Sequence, residues 1–376
     1  MQALNTLSTP ACIIDEPKLI ANARRVAQQC EAQGVALRPH IKTLKSLEAA
    51  AIYAPLPMPI TVSTLAEARA FAEAGYQDIL YAVGLSPNKF AQVNALLNDA
   101  VTLTVVIDST DAAAQLCDQA HQLDHPLRVA IEIDVDGQRA GVAAIDESLI
   151  AIAAKVATTP SLTFAGVMGH AGASYGCFDA VSRDQMAQQE CQQVLLAAKN
   201  LADAGYPCTM ISAGSTPTVL ASASREGLSE MRAGVYATFD LVMAGLGVCA
   251  YSDIALSVLT CVIGHQKDKH WVLIDAGWMA LSRDTGTQNH PLDCGYGLVC
   301  DEQGKILEGW YVAHTNQEHG VVKHRDGRTP DESFAYGTML RILPVHACAT
   351  AAQYHSYHVT QDNEHTHASW PRINGW

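Results

Sequence analysis

The chain is 376 residues long, 49 % hydrophobic and 16 % charged, with a formal net charge of −14. That length exceeds what one ordinary domain needs, and an acidic balance without basic clusters argues against nucleic acid or an anionic membrane as partner. No stretch reaches about 18 uninterrupted apolar residues, which excludes a membrane-spanning helix.

Eleven cysteines lie at irregular intervals with no CxxC pair, and the start, Met1-Gln2-Ala3-Leu4-Asn5, lacks a basic, apolar leader. Reduced thiols in the cytoplasm are expected.

Short β-rich runs alternate with amphipathic segments through the first two-thirds of the chain. The first helix is expected to be capped by Asp15, with Pro17 in its first turn. Leu19, Ala23, Val26 and Cys30 recur at helical spacing, and Gly34 ends the helix. Strands are expected at 35–41, 59–65, 78–83, 103–108, 127–135, 162–170, 208–213 and 228–236. Val194, Ala198 and Leu201, closed by Gly205, repeat the helical scheme before the seventh strand. Eight β-α units in about 230 residues predict an α/β (β/α)8 TIM barrel over 14–245. The texture then turns β-rich, with runs at 254–264, 271–275, 309–314, 338–343 and 354–360. These predict a second, β-rich domain over 246–376 that also takes residues 1–13. The stretch Glu364-His365-Thr366-His367 reads as a solvated tail.

A barrel enzyme carries its chemistry at the C-terminal ends of its strands. Those ends hold His40 and Lys42, then Ser63 and Thr64, then Asp134, Asp136 and Arg139. Further on come His170 to Tyr175, Ser212 to Thr218, and Glu230, Arg232 and Gly234. Ser212-Ala213-Gly214-Ser215-Thr216-Pro217-Thr218 reads equally as a capping turn or as a phosphate cradle. In the second case small residues let backbone N–H groups approach an anion, with a helix starting near Pro217 and donors from Gly234 and Val235. Barrels often bind phosphate at the loops after strands seven and eight, which favours the cradle. Lys42, partly desolvated at a strand end, is the natural imine former, and Lys45 is expected to be an ordinary surface lysine. His346-Ala347-Cys348 follows a strand; in an extended segment both side chains share a face, and nitrogen with sulfur suits Zn²⁺. Two ligands among fifteen histidines and eleven cysteines make a weak motif alone.

Taken together, these segments resemble the D-serine dehydratase and D-threonine aldolase family of fold-type III pyridoxal 5′-phosphate enzymes, the alanine-racemase-like group. The matching segments begin with Arg38-Pro39-His40-Ile41-Lys42-Thr43, His170-Ala171-Gly172-Ala173-Ser174-Tyr175, Gly214-Ser215-Thr216-Pro217-Thr218 and Arg232-Ala233-Gly234-Val235-Tyr236. They continue with Asp275-Ala276-Gly277, Ser282-Arg283-Asp284, Gln317-Glu318-His319-Gly320 and Pro344-Val345-His346-Ala347-Cys348. They run in order from about residue 8 to the end. The stretches 275–284 and 346–350 are most similar to members that dehydrate D-threo-3-hydroxyaspartate.

The resemblance implies that Lys42 binds pyridoxal phosphate through an imine, His170 lies against its ring, and Tyr175 lines the site. It implies that Ser212, Gly214, Ser215, Thr216, Gly234 and the neighbouring Val235 hold the phosphate. Arg232 would stand beside the pyridine nitrogen, and His346 with Cys348 would bind a divalent metal, zinc first, with manganese or magnesium as alternatives. A homodimer is also implied. The expected activity is a metal-dependent carbon–oxygen lyase that turns a D-3-hydroxy amino acid, D-threo-3-hydroxyaspartate or D-serine, into a 2-keto acid and ammonia. The family's dehydratases tend toward His-x-Cys at the metal and its aldolases toward His-x-Asp, so Cys348 favours the dehydratase over the D-threonine aldolase. Amino-acid racemase and non-catalytic binding of the cofactor are the remaining readings. Arg139, Arg283 and His319 are the candidate cations for a second substrate carboxylate.

Overall fold

The computed structural model describes residues 2–376, which fold into two compact units. One takes residues 24–42, 53–234 and the last two residues; the other takes the chain up to Ala23, then 43–52 and 235–374. The division thus falls at 234/235 rather than at 245/246. Hydrogen bonds explain the shift: the short helix Leu241–Gly245 receives the carbonyls of Pro344 and Val345 on the amides of Leu241 and Val242, at 3.1 and 3.2 Å. Among the described residues no helix is long and apolar enough to cross a membrane.

The first unit is a (β/α)8 barrel. Its strands are β1 (Ala36–Pro39), β2 (Ile60–Val62), β3 (Asp78–Gly84), β4 (Thr102–Ile107), β5 (Leu127–Asp134), β6 (Leu162–Gly169), β7 (Met210–Ala213) and β8 (Glu230–Ala233). They are parallel, in the order β1-β8-β7-β6-β5-β4-β3-β2, and a parallel bridge between His40 and Thr61 closes the ring. Each matches one predicted run. Leu80, Val106, Ala130, Met168 and Met210, from β3 to β7, pack together as an apolar core. The long helix Ala180–Asp203 is capped by Asp179, which accepts the Ser182 amide, and stops before Gly205 at φ +90°.

Arg38 on β1 is buried, with Nε 2.8 Å from Glu230 and Nη1 2.8 Å from Asp78. Glu230 also accepts the Ser212 hydroxyl at 2.6 Å. Glu230→Ala would leave Arg38 without its buried carboxylate, and removing one partner of such a pair costs about 3–5 kcal/mol. The urea midpoint should fall accordingly; an unchanged midpoint would mean that Asp78 alone balances Arg38.

The second unit holds a ten-stranded sheet. Within it Leu256–Gln266, Trp271–Ile274, Gly320–His324, Ile306–Thr315, Leu298–Cys300 and Met339–Leu343 pair antiparallel in sequence around a ring that returns to the first. Val258, Val262, Ile274, Val299, Val312 and Ile342 are among the residues that fill it. Ala11–Asp15 joins the same sheet, as expected for the N-terminal residues, and Asp15 accepts the Lys18 amide at 3.2 Å. The supposed tail is a strand, His365–Pro371, antiparallel to Ser356–Thr360 and Gln2–Ala3. Its period was two all along: Thr366 and Trp370 are buried while His365, His367 and Ser369 are exposed.

Lys45 also departs from expectation. It is 7 % exposed, at φ 49°, and its carbonyl accepts the Ile373 amide at 2.7 Å. The neighbouring Leu44 carbonyl accepts the Tyr357 hydroxyl, so the 43–52 strip is held by the second unit's own strands.

Candidate functional site

In the barrel, Lys42 lies just past the β1 end, in a turn that begins after His40. Gly234 follows β8 beside it. A methyl group placed on Gly234 would lie 3.4 Å from His40 Cβ and 3.6 Å from Lys42 Cε. Glycine therefore leaves a space bounded by both side chains. His170, after β6, donates from Nδ1 to the Gly214 carbonyl, 3.0 Å away. Burial, reinforced by Arg139, holds the imidazole down to about 3, so it is neutral at pH 7 and Nδ1 carries the proton toward that carbonyl. Tyr175 is 38 % exposed, with its ring centroid 6.3 Å from that of His170.

Arg232 is buried. Its two terminal nitrogens donate to Ser212 Oγ and to the Gly169 carbonyl, both at 2.5 Å. Ser212 thus bridges Arg232 and Glu230, and its hydroxyl is committed to that network. Gly214 stands at φ +128°, where a Cβ would meet the Arg232 carbonyl oxygen at 2.4 Å, so only glycine fits. Its amide donates to Glu190 Oε1 at 3.0 Å. Ser215 caps the helix Thr216–Val219 through a reciprocal bond with Thr218 and touches Ser174 Oγ at 2.9 Å. That helix is a single turn, too short for much of a dipole. Thr216 Oγ1 is buried without a partner, and as the first helical residue its amide has no intrahelical acceptor. An orphaned hydroxyl and amide beside glycine-lined space fit a phosphate group. Val235 belongs to the second unit, where its carbonyl accepts the Phe239 amide at 2.7 Å.

In the second unit His346 Nδ1 lies 2.6 Å from Asp284 Oδ2. Burial pulls the His346 imidazole down, but Asp284, Cys348 and Asp240 outweigh it and push the group up to about 11. Cys348 Sγ lies 3.2 Å from Thr43 Oγ1. The segment is not extended as expected: His346 precedes a short helix, Ala347–Ala351, and Cys348 sits in its first turn. Asp240 makes that turn, accepting the Ala347 amide at 3.0 Å and the Met243 amide at 3.0 Å. With Nδ1 engaged by a carboxylate and the ring beside Cys348, His346 can offer Nε2 to a metal, the arrangement usual for metal-bound histidines. Nitrogen and sulfur donors, with His346 41 % exposed, fit a zinc-type ion that keeps open positions.

Among the described residues the one group of three or more ligand side chains is elsewhere: Asp362, Glu364 and His365. There Asp362 already accepts the amides of Glu364 and His365, so it closes its own turn. Of the other candidates, Arg139 is in the barrel, 3.5 Å from Glu132, whereas Arg283 lies over the Trp278 ring and belongs with His319 to the second unit.

Sequence reasoning missed Glu190, Asp284 and Asp240 as structural supports. Glu190 was findable: it is an acidic residue among the buried positions Ala187, Cys191, Val194 and Leu201 of one helix face. Its Oε1 accepts the amides of both Ala171 and Gly214, and burial raises its carboxyl.

Residues 14–241 match the family of the alanine racemase N-terminal domain, and 255–360 match that of the serine dehydratase domain. The chain is 44 % identical to D-threo-3-hydroxyaspartate dehydratase of Delftia sp. (strain HT23), over 99 % of each chain. It is 27 % identical to D-serine dehydratase of Dictyostelium discoideum, over 96 % of this chain and 95 % of that one. The solved structure of the Delftia sp. HT23 enzyme superposes with a TM-score of 0.95 at 44 % identity, covering both chains fully. A variant of D-threo-3-hydroxyaspartate dehydratase solved in the metal-free form superposes equally well.

Proposed function

The chain belongs to the family of fold-type III pyridoxal phosphate enzymes that join an alanine racemase N-terminal domain to a serine dehydratase domain, and we propose that it dehydrates D-3-hydroxy amino acids, D-threo-3-hydroxyaspartate ahead of D-serine. The observation that carries this reading is the His346–Asp284 bond beside Cys348, a nitrogen–sulfur donor pair with its own carboxylate support.

Pyridoxal phosphate, when bound, supplies the electron sink that makes the substrate α-proton acidic. A divalent metal supplies Lewis acidity toward the β-hydroxyl, otherwise a poor leaving group. Lys42 Nζ would hold the cofactor, and its free amine would be the base for the α-proton. Thr216 Oγ1 and its amide, with the space over Gly234, would receive the phosphate. His170 stays neutral and presents its ring; Arg232, clamped by Ser212 and Gly169, keeps a fixed positive charge in the barrel. His346 and Cys348 would hold the metal, and Asp284 would fix the Nδ1–H tautomer of His346. Water is lost from the substrate and an equal amount is taken up on hydrolysis, so the overall products are a keto acid and ammonia. Zinc as the ion, a homodimer as the assembly and the cytoplasm as the compartment complete the proposal.

The test is incubation of purified protein with D-threo-3-hydroxyaspartate, D-serine and D-threonine, with and without chelator. Keto acid and ammonia from the first two, lost after verified metal removal, are expected. Glycine and an aldehyde as dominant products would replace the dehydratase with an aldolase. Cofactor absorbance without turnover would leave a binding protein.

A further inference from the structure

We propose that His40 is a positioning residue for Lys42: its Nδ1 accepts a hydrogen bond from the Lys42 amine and so aims the amine lone pair at the substrate α-proton. The proposal rests on Lys42 being the cofactor lysine.

The His40 backbone is held on both sides. Its amide donates to the Ala233 carbonyl at 2.7 Å, the next amide, of Ile41, donates to the Thr61 carbonyl at 3.0 Å, and the His40–Thr61 bridge closes the barrel. The side chain therefore starts from one of the best-fixed backbone positions at the mouth. His40 Cβ and Lys42 Cε bound the same space over Gly234. Within the ring, Nδ1 is buried and has no partner, and burial holds the imidazole neutral. A neutral ring keeps one nitrogen bare, and with the hydrogen on Nε2 it is Nδ1 that offers the lone pair.

A buried acceptor without a donor is unfavourable, so the local donors can be taken in turn. The charged or titratable groups acting on His40 are Lys42, Arg232 and His170. Arg232 commits its terminal nitrogens to Ser212 and Gly169. His170 commits Nδ1 to Gly214. Lys42 remains, a flexible donor on a four-carbon stem. Burial, and then those three neighbours, keep His40 uncharged, so it acts as an acceptor and not as a second base.

The step is balanced simply. The α-proton moves from Cα to Lys42 Nζ, and the C–H electron pair stays with the substrate. His40 gains and loses no proton; its bond to Nζ restrains rotation about Cε–Nζ before transfer and strengthens as the amine becomes ammonium.

The test compares His40→Leu, which keeps the volume but removes the acceptor, with His40→Asn, whose carbonyl oxygen stands near the Nδ1 position. In the holoenzyme His40→Leu should retain the imine absorbance and KM, lose kcat by about 10²-fold, and show a larger isotope effect on kcat with α-deuterated substrate. His40→Asn should recover most of both. In the cofactor-free full-length chain, acylation of Lys42 by an amine reagent should slow in His40→Leu, with Lys45 as the internal reference. If His40→Leu does not fold, His40→Gln against His40→Asn makes the same comparison, because the glutamine carbonyl sits one bond too far out. Wild-type kcat and isotope effect in His40→Leu would overturn the proposal, as would equal impairment of the Leu and Asn variants with no change in isotope effect. Failure of the Lys42 assignment would look different, since imine absorbance would then survive Lys42→Ala.

Discussion

Lys42→Ala is expected to abolish the imine absorbance near about 420 nm and to lower kcat by at least about 10³-fold. The size follows from the double use of one nitrogen. In the proposed reading it would hold the cofactor covalently and, once displaced, would be the group available for the α-proton, so no partial activity would be preserved by losing one role alone. Lys42 is also the basic residue that shares with His40 the space over Gly234. Lys45→Ala is the control. Lys45 is buried in the other unit, so loss of its side chain should show in thermal stability and leave the absorbance in place. Absorbance lost with Lys45 and kept without Lys42 would reverse the assignment.

Asp284→Asn should weaken binding of a divalent metal by about 10–100-fold. His346→Ala should remove the stoichiometric metal altogether. Asp284 holds the Nδ1–H of His346 at 2.6 Å, which fixes the ring and makes Nε2 more basic toward an ion. The same contact sets a pH dependence. Burial lowers the metal-free His346, but Asp284, Cys348 and Asp240 outweigh it and raise the group to about 11. At neutral pH a metal must therefore expel that proton. Affinity should rise with pH, by about tenfold per pH unit for this one proton, and level off only above the raised value. Asparagine in place of Asp284 removes a main cause of the shift, so the slope should become shallower as well as the binding weaker. Competition against a chromophoric chelator between about pH 6.5 and 8.5 measures both. Unchanged affinity in Asp284→Asn would sink the supporting role given to the carboxylate.

The two units differ in how far their residues could be read in advance. In the barrel, strand propensity and helical spacing agree with the tertiary solution, because each β-α unit buries its own apolar face against its neighbours. All eight expected runs became strands, from Ala36–Pro39 to Glu230–Ala233. The second unit is different. Leu298–Cys300 and Gly320–His324 are short strands whose partners lie elsewhere in the sequence, and the His365–Pro371 strand was hidden by its histidines. Its buried Thr366 and Trp370 carried a signal of period two that polar composition masked.

Sequence alone determined the family, the alternation of eight strands with helices and the β-rich second part, and it singled out Lys42, His170, Arg232, His346 and Cys348 as candidates. Those follow from residue type and order along the chain, which need no coordinates. Only the tertiary structure decided what their atoms do. It turned the Ser212 hydroxyl toward Glu230 and Arg232, gave the Gly214 amide to Glu190, buried Lys45, coiled Cys348 into a helical turn and set Asp284 on His346. The hydrogen bonds among these join residues far apart in sequence. A buried polar group takes whichever partner the fold brings within hydrogen-bond distance, and that choice is made by packing rather than by the local chain.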